Sequence, residues 1–124
     1  MTLETGLSHT SIIEVTPSLT ATVVGSGDLP VLATPAMIAL MENAAMLAVA
    51  SLLPEGSTTV GGLINVSHLK PSAIKSTIKA IATVTKIEGK KLVFSVCAED
   101  ETGLIGEGSH IRYIVDRNKF MAKL

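Results

Sequence analysis

Residues 31–53 are the least polar stretch of this 124-residue chain, and they restrict the folds that it can adopt. They read VLATPAMIALMENAAMLAVASLL and contain a single charged side chain, that of Glu42. The alanines, leucines and methionines favour a helix, which Thr34 can cap, with Pro35 in the first helical position, and which ends before Pro54. Because apolar residues lie on nearly every side of this helix, it belongs either in a membrane or in the interior of a protein.

The position of Glu42 and the composition argue against the membrane. The roughly 18 helical residues are near the minimum for spanning a bilayer, and the carboxylate would lie close to the middle of the span. The net charge of −1 and the mean hydropathy of +0.48 also exclude a disordered chain and a polycation that binds nucleic acid. We therefore expect a buried helix, no membrane partner, and a homo-oligomer interface that covers the surplus apolar surface.

The rest of the chain alternates polar and apolar residues with the period of two that is typical of half-buried strands. Four long stretches show this period after the helix and two shorter ones before it: 58–69, 76–88, 91–100, 104–116, 11–15 and 19–24. Short turns at 88–90 and 101–103 make consecutive strands antiparallel. The alternation gives each strand one apolar face, which comprises Val60, Ile64, Val66 and His68 in the first long stretch and Ile111, Tyr113 and Val115 in the last.

This order of elements predicts an α+β domain over residues 1–124, in which a curved antiparallel sheet wraps around one long central helix. That arrangement is the hot-dog fold. Such a sheet has two open edges, and open edges pair readily with a second copy of the same chain. We therefore expect a homodimer, and the sequence leaves open whether two dimers join into a tetramer.

Glu42 is the strongest candidate for chemistry. An ionised carboxylate in a dry interior is costly, so it must be paired, protonated or exposed to a wet cleft. A carboxylate in a cleft suits a general base or a nucleophile. The alternative is a structural carboxylate paired to a lysine, or one exposed on a polar strip beside Asn43.

His68, Thr34 and the pair Gly61–Gly62 are further candidates. The imidazole of His68 could serve in catalysis because histidine changes charge near neutral pH. The alternative is a structural histidine in the core whose ring nitrogens are hydrogen-bonded. Capping of the helix is enough to explain Thr34, but Thr34 and Glu42 are also about 12 Å apart along the helix axis and within a quarter turn, so they would line one groove. Two glycines in a strand indicate a bulge or a close backbone approach to a ligand.

Other signatures are missing from the sequence. It contains no G-x-S-x-G elbow, no Walker sequence and no dinucleotide-binding loop. The histidines at 9, 68 and 110 have no metal-ligand spacing with one another or with Cys97, so we expect no metal site. A lone cysteine cannot form an internal disulfide, and the first residues lack the pattern of a signal peptide, which together predict a cytoplasmic protein.

Three segments give the chain a resemblance to a known family: VLATPAMIALMENAAMLAVA, GGLINVSHLKPS, and GEGSHIRYIV with the later NKFMAKL. From about Val31 to the C-terminus the sequence resembles the fluoroacetyl-CoA thioesterase branch of the hot-dog thioesterases. The resemblance implies a homodimer with its active sites at the subunit interface. It also implies hydrolysis of a small acyl-CoA without a metal or redox cofactor, since CoA enters only as part of the substrate.

The resemblance also assigns site residues. A threonine at the helix start, a glutamate two turns on and a histidine on the following strand form the catalytic set of that family, and they correspond to Thr34, Glu42 and His68. A glycine whose backbone lies at the thioester corresponds to Gly61, with Gly62 beside it. The arginine of the penultimate segment corresponds to Arg112, which we assign to substrate binding together with the two glycines.

One segment departs from that family. The fluoroacetyl-specific enzyme has a longer lid before the helix, with phenylalanines that gate its pocket, whereas residues 25–31 here are short and contain no aromatic residue. Thioesterase chemistry is compatible with this difference, but selectivity for fluoroacetyl groups is not predicted. The alternatives are a non-catalytic protein that binds acyl-CoA or another small ligand, a hydratase or dehydratase on the same fold, and a purely structural dimer.

Overall fold

The computed structural model describes residues 2–124 as one antiparallel sheet with a long helix packed against it. The strands are β1 (Ser8–Glu14), β2 (Ser57–His68), β3 (Thr77–Glu88), β4 (Lys91–Asp100) and β5 (Gly103–Asp116). The helices are α1 (Ala21–Val24), α2 (Thr34–Ala50) and α3 (Arg117–Ala122), with a 3-10 turn at Pro17–Leu19. The predicted α+β architecture of the hot-dog fold is confirmed.

The strand order across the sheet is β1-β3-β4-β5-β2, and each neighbouring pair is antiparallel. The strands β1 and β2 are therefore the two edges. Sequential hairpins join β3 to β4 and β4 to β5, as the short turns predict, whereas β2 pairs with the last strand. This topology brings residues 57–68 beside residues 106–116, which are far apart in the sequence.

The helix α2 buries one face against the sheet, mainly against β1 and β3. This face comprises Met37, Leu40, Met41, Ala44, Ala45 and Val49. The opposite face carries Ala39, Asn43 and Leu47, which are exposed. In the single chain the sheet therefore covers one side of the apolar helix, because the five strands all lie on that side of it.

The inner faces of β3 and β4 are those that the alternation predicts, and they form the core together with α2. They comprise Ile78, Ala80, Ala82 and Val84 on β3, and Leu92, Phe94, Val96 and Ala98 on β4. Alanines on β3 let the helix approach the sheet closely, while Phe94 is the largest fully buried side chain of the core.

The predicted strand at 19–24 is wrong. Pro17 begins a 3-10 turn, and the hydroxyl of Thr20 donates to the carbonyl oxygen of Pro17 at 2.7 Å, which closes the chain locally. The residues after Thr20 form α1, which ends at Gly25 with a φ of 91°, in the left-handed region that glycine adopts at low cost.

A β-bulge in β2 also changes the faces that simple alternation predicts. The register with β5 shifts between Gly61 and Leu63, so the side of the strand that faces inward changes there. Before the bulge, Thr59 is the buried residue, at 5% exposure, and Val60 lies on the opposite face of the strand. Val60 therefore does not share a face with Ile64, Val66 and His68, although the alternation predicts that it does.

On β5 the predicted apolar face is wrong as well. The buried residues of this part of the strand are His110 and Arg112, at 1% and 7% exposure. Ile111 and Tyr113 lie on the other face, and Tyr113 is 41% exposed. Two polar side chains can occupy the inner face because each of them is hydrogen-bonded there.

Among residues 2–124, no helix combines the length and the hydropathy that a membrane span requires.

Candidate active site

Thr34 and His68 are in direct contact, at the start of α2 and the end of β2. The Oγ1 atom of Thr34 lies 2.7 Å from Nδ1 of His68. Together they line a cavity of about 290 Å³, whose wall also includes Ser26 and Lys70. The structure thus brings together two of the three predicted catalytic residues, 34 positions apart in the sequence.

The contact with His68 replaces the capping role predicted for Thr34. The helix begins at Thr34 itself, Ala33 occupies the N-cap position, and no side chain caps this end. The N-cap prediction is therefore wrong by one residue, because Thr34 already has a helical backbone while its hydroxyl faces β2.

His68 is partly buried, and one of its ring nitrogens is free of the contact with Thr34. Burial lowers its pKa, and the backbone near Lys70 partly opposes this effect. Its second ring nitrogen, Nε2, is buried and has no hydrogen-bond partner among residues 2–124. A buried polar atom without a partner costs free energy, and such atoms are common at sites where a ligand supplies the partner.

Glu42 is paired with an arginine and also faces a cleft. Its Oε2 atom lies 3.7 Å from Nη1 of Arg112, and its side chain is 41% exposed, compared with 8% for Arg112. It lines one cavity of about 240 Å³ with Gly61 and His110, and a second of about 330 Å³ with Met46. The partner is an arginine on β5 rather than the lysine of the structural alternative.

Arg112 is buried and almost fully bonded. Its Nε donates to Oγ1 of Thr59 at 2.8 Å, and its Nη2 donates to the carbonyl oxygen of Thr59 at 3.0 Å. Its Nη1 lies 3.2 Å from Nε2 of His110, besides facing Glu42. Burial lowers the pKa of Arg112, and the charge of Glu42 opposes this effect. In this arrangement Arg112 contacts the carboxylate of Glu42 through a rigid, oriented guanidinium.

Gly61 allows the Glu42 carboxylate to approach the backbone of β2. A Cβ atom at Gly61 would lie 2.9 Å from Oε2 of Glu42, closer than real side chains permit, and its φ is not in the left-handed region. Glycine is therefore needed here for space rather than for backbone conformation. A Cβ atom at Gly62 would instead collide with the ring of Tyr113, although the Gly62 backbone still lines the cavity of Glu42.

The candidate residues divide into two groups along α2 and β2. Thr34 contacts His68, and Glu42 approaches Gly61, so the order along the helix is opposite to the order along the strand. Within residues 2–124, the two groups line different cavities, and the three predicted catalytic residues do not line one cavity together. They lie at two positions along the line where α2 packs beside the edge strand β2, and we call this line the groove.

His110 is the residue of this site that the sequence analysis missed, since it was considered only as a metal ligand. Its signal was its position two residues before Arg112, which places both side chains on one face of β5. It is paired in register with Phe94, whose inward direction the alternation of β4 predicts, and the two rings lie 6.1 Å apart. Burial lowers the pKa of His110, and the nearby charge of Arg112 adds to this effect.

Comparison with known proteins gives consistent matches over most of the chain. The model of the fluoroacetyl-CoA-specific thioesterase family matches residues 15–118. The fluoroacetyl-CoA thioesterase of Streptantibioticus cattleyicolor is 35% identical over 94 residues, which cover 76% of this chain and 68% of that protein.

Solved structures show the same similarity. A variant of the fluoroacetyl-CoA-specific thioesterase FlK in complex with fluoroacetate and CoA has a TM-score of 0.90 at 29% identity, covering 95% of this chain and 99% of that one. A thioesterase superfamily member of Thermus thermophilus has a TM-score of 0.89 at 29% identity, covering 97% and 89%. The family match includes both ends of the groove, from Thr34 to Arg112.

Proposed function

The chain belongs to the fluoroacetyl-CoA-specific thioesterase family and is a thioesterase, and on this basis we propose that it hydrolyses a small acyl-CoA to the free acid and CoA. The observation that carries the proposal is the position of Glu42, whose carboxylate is oriented by a buried arginine and lies against the backbone of Gly61 at an open cleft. The reaction needs no cofactor, and CoA takes part only as a portion of the substrate.

Glu42 would perform the central step. As a general base it takes a proton from water, the resulting hydroxide attacks the thioester carbon, and the tetrahedral intermediate expels the CoA thiolate, which then takes up a proton. As a nucleophile it attacks the same carbon and expels the CoA thiolate, which takes up a proton, and water then hydrolyses the resulting anhydride to the free acid and restores the Glu42 carboxylate. In both routes the carboxylate must be directed at its target, and the ion pair with Arg112 supports this requirement.

Gly61 and Gly62 would bind the thioester group. The bulge interrupts the pairing between β2 and β5 beside Glu42: Gly62 has no partner on β5, and Gly61 is the last paired residue before it. The N–H of Gly61 is our candidate donor to the thioester oxygen, where negative charge develops during attack. Loss of one such donor typically costs about 3 kcal/mol of transition-state stabilisation.

Thr34 and His68 would act at the other end of the groove. We propose that the bound acyl-CoA lies along the groove with its thioester between the two ends, so that Glu42 reaches the carbon from one end and His68 can assist proton transfer or stabilise developing charge from the other. The Thr34 hydroxyl contacts Nδ1 of the His68 ring. The other ring nitrogen, Nε2, has no hydrogen-bond partner among residues 2–124. Thr34 therefore orients the histidine, since its hydroxyl contacts His68 rather than Glu42.

A homodimer would complete the site. The edge strand β2 carries Leu63, which is 48% exposed, and the uncovered face of α2 carries Leu47, which is 42% exposed. Both surfaces adjoin the groove, so pairing through β2 would bury apolar area and enclose the substrate at the same time.

The acyl group would be small, without selection for fluorine. The segment before α2 has exposed Val24 and Leu29 and no aromatic side chain that could gate the groove. We therefore expect acetyl-CoA and fluoroacetyl-CoA to be cleaved with kcat/KM values within about tenfold of each other, since a small pocket difference is worth only one to two orders of magnitude.

The test is release of free thiol from a panel of short acyl-CoA esters, by the wild-type protein and by Glu42→Gln. Glu55→Gln serves as the matched control, because Glu55 is an exposed carboxylate outside the groove. We expect the control to be fully active and Glu42→Gln to lose about a hundredfold or more in kcat, as removal of a general base does. Equal rates for Glu42→Gln and wild type would contradict the role of Glu42. Saturable binding without thiol release would instead support a ligand-binding protein.

A further inference from the structure

His110 lies on the inner face of β5, between the bulge of β2 and Arg112, and is 1% exposed. Nothing in the proposed reaction requires a second histidine at this depth. Its ring is nevertheless hydrogen-bonded through both nitrogens, and its two partners belong to the two parts of the site that surround Glu42.

The two contacts determine the protonation of the ring. Nδ1 lies 2.7 Å from the carbonyl oxygen of Leu63, which can only accept, so Nδ1 carries the proton. Nε2 lies 3.2 Å from Nη1 of Arg112, which can only donate, so Nε2 has a free lone pair. His110 is therefore a neutral imidazole in the Nδ1–H tautomer. A proton on Nε2 would set two donors against each other and would place a cation beside Arg112.

The same contact determines where Arg112 directs its charge. Thr59 holds the Nε and Nη2 side of the guanidinium, and His110 is the partner of Nη1. Nη1 is also the atom that lies 3.7 Å from Oε2 of Glu42. His110 thus orients the one nitrogen of Arg112 that faces the carboxylate.

The other nitrogen of His110, Nδ1, contacts the bulge of β2 through the carbonyl oxygen of Leu63. Leu63 is the first paired residue after the register shift in β2. Gly61, whose backbone lies close to Glu42, is the last paired residue before that shift. One ring therefore links the strand that carries the glycine backbone to the arginine that orients the carboxylate. The groups facing His110 are Arg112 on its own strand, Glu42 on α2, the Leu63 carbonyl on β2 and Phe94 on β4.

We propose that His110 is a positioning residue, which holds Arg112 in the orientation that aligns the Glu42 carboxylate with the Gly61 backbone. It does not touch the substrate and it transfers no proton. The proposal rests on the thioesterase function described above, in which Glu42 is the reacting carboxylate.

Two substitutions separate this role from a structural one. A glutamine at 110 reaches as far as Nε2, and its carbonyl oxygen can accept from Arg112, whereas an asparagine reaches only as far as Nδ1 and can donate to the Leu63 carbonyl. We expect His110→Gln to keep kcat within about threefold of wild type and His110→Asn to lose about tenfold to hundredfold in kcat, as loss of a hydrogen bond to a charged group does, with little change in KM. His9→Asn, at an exposed histidine of β1, is the control.

A His110→Asn variant more active than His110→Gln would overturn the proposal. It would show that the contact of His110 with the Leu63 carbonyl matters and that its contact with Arg112 does not. The Nε–H resonance of Arg112, observed by NMR, provides a reading that does not depend on turnover. It should keep its wild-type shift in His110→Gln and move in His110→Asn.

The ring itself can be examined in the wild-type protein, which removes any dependence on the folding of the variants. We expect 15N NMR to show the Nδ1–H tautomer from about pH 8 down to about pH 6.5, where an ordinary histidine is already half protonated, because burial lowers the pKa of His110. An Nε2–H tautomer or an imidazolium in this range would contradict the proposal. If the wild-type protein cleaves no acyl-CoA, the proposed function fails, while the tautomer and the Arg112 resonance still report on the positioning of the arginine.

Discussion

The hydroxyl of Thr34 lies 2.7 Å from Nδ1 of His68, which joins the first residue of α2 to the last residue of β2. This contact separates two roles that the sequence could not distinguish. A capping threonine stabilises its helix, whereas a threonine bonded to a histidine orients the ring. Since Ala33 holds the N-cap position, the second role can be tested with little interference from the first.

Replacement of the Thr34 hydroxyl should reduce activity with little loss of stability. We expect Thr34→Val to lower kcat/KM by about tenfold, the usual effect of one lost hydrogen bond, and Thr34→Ser to retain most of it. The free energy of unfolding in urea should change by less than the roughly 1 kcal/mol that loss of an N-cap costs. A loss of stability of about 1 kcal/mol or more in Thr34→Val, absent in Thr34→Ser and with activity unchanged, would show that the hydroxyl serves the helix.

Substitution of Gly61 should displace the reacting carboxylate. The added Cβ of Gly61→Ala would lie 2.9 Å from Oε2 of Glu42, and the flexible glutamate would move away at small cost in stability. We expect kcat to fall by about tenfold or more, because a small misplacement of a catalytic group is expensive. Gly62→Ala gives a contrast in stability only, since Gly62 also belongs to the proposed thioester site: its Cβ would meet the Tyr113 ring, so it should lower stability by roughly 1–3 kcal/mol, as overpacking does. Kinetics and urea unfolding of both variants check the contrast.

The guanidinium of Arg112 should not be replaceable by another cation. A lysine at 112 cannot donate to Thr59, His110 and Glu42 together, because it lacks the planar fork. We expect Arg112→Lys to lower kcat by about tenfold or more and to destabilise the protein by about 2 kcal/mol, since buried acceptors lose their donor. Arg117→Lys, at an exposed arginine, should leave both quantities unchanged. An active, stable Arg112→Lys protein would show that charge alone suffices.

Stability should fall on mild acidification because two histidines are buried as neutral rings. Burial lowers the pKa values of His68 and His110 below that of an unfolded histidine, about 6.5. Below that pH the unfolded chain takes up protons that the folded chain does not, so the free energy of unfolding decreases as the pH falls, until the folded pKa values are reached. Urea unfolding over this range should show a shallower slope for His110→Gln than for wild type. An identical slope in His110→Gln would show that this histidine does not contribute.

The two sheet edges should differ in self-association. The edge strand β2 has 12 residues and adjoins the groove, whereas β1 has 7. We expect a homodimer in sedimentation equilibrium that Leu63→Lys weakens strongly, since it places a charge on the β2 edge, and that Ile12→Lys, on β1, leaves intact. Dissociation by Ile12→Lys alone would assign the interface to the other edge.

Most of the fold could be predicted from the sequence because its signals are local. The apolar composition of residues 34–50 defines α2, and the period of two in β3 and β4 identifies their buried faces. The same rule placed Val60 and Tyr113 on inner faces incorrectly. A bulge depends on pairing with a distant strand, and an inward-facing arginine depends on distant acceptors, so neither leaves a signal in the local alternation.

By itself, the sequence determined that a long apolar helix must be covered by a sheet, and that its one carboxylate needs a partner or a cleft. Only the tertiary structure decided that Glu42 has both, with Arg112 as the partner and the Gly61 backbone as a wall of the cleft. It also showed that His110 holds that partner. The physical reason is that apolar burial follows from each residue and its near neighbours, whereas the partner of a buried charge depends on which strands the fold brings side by side.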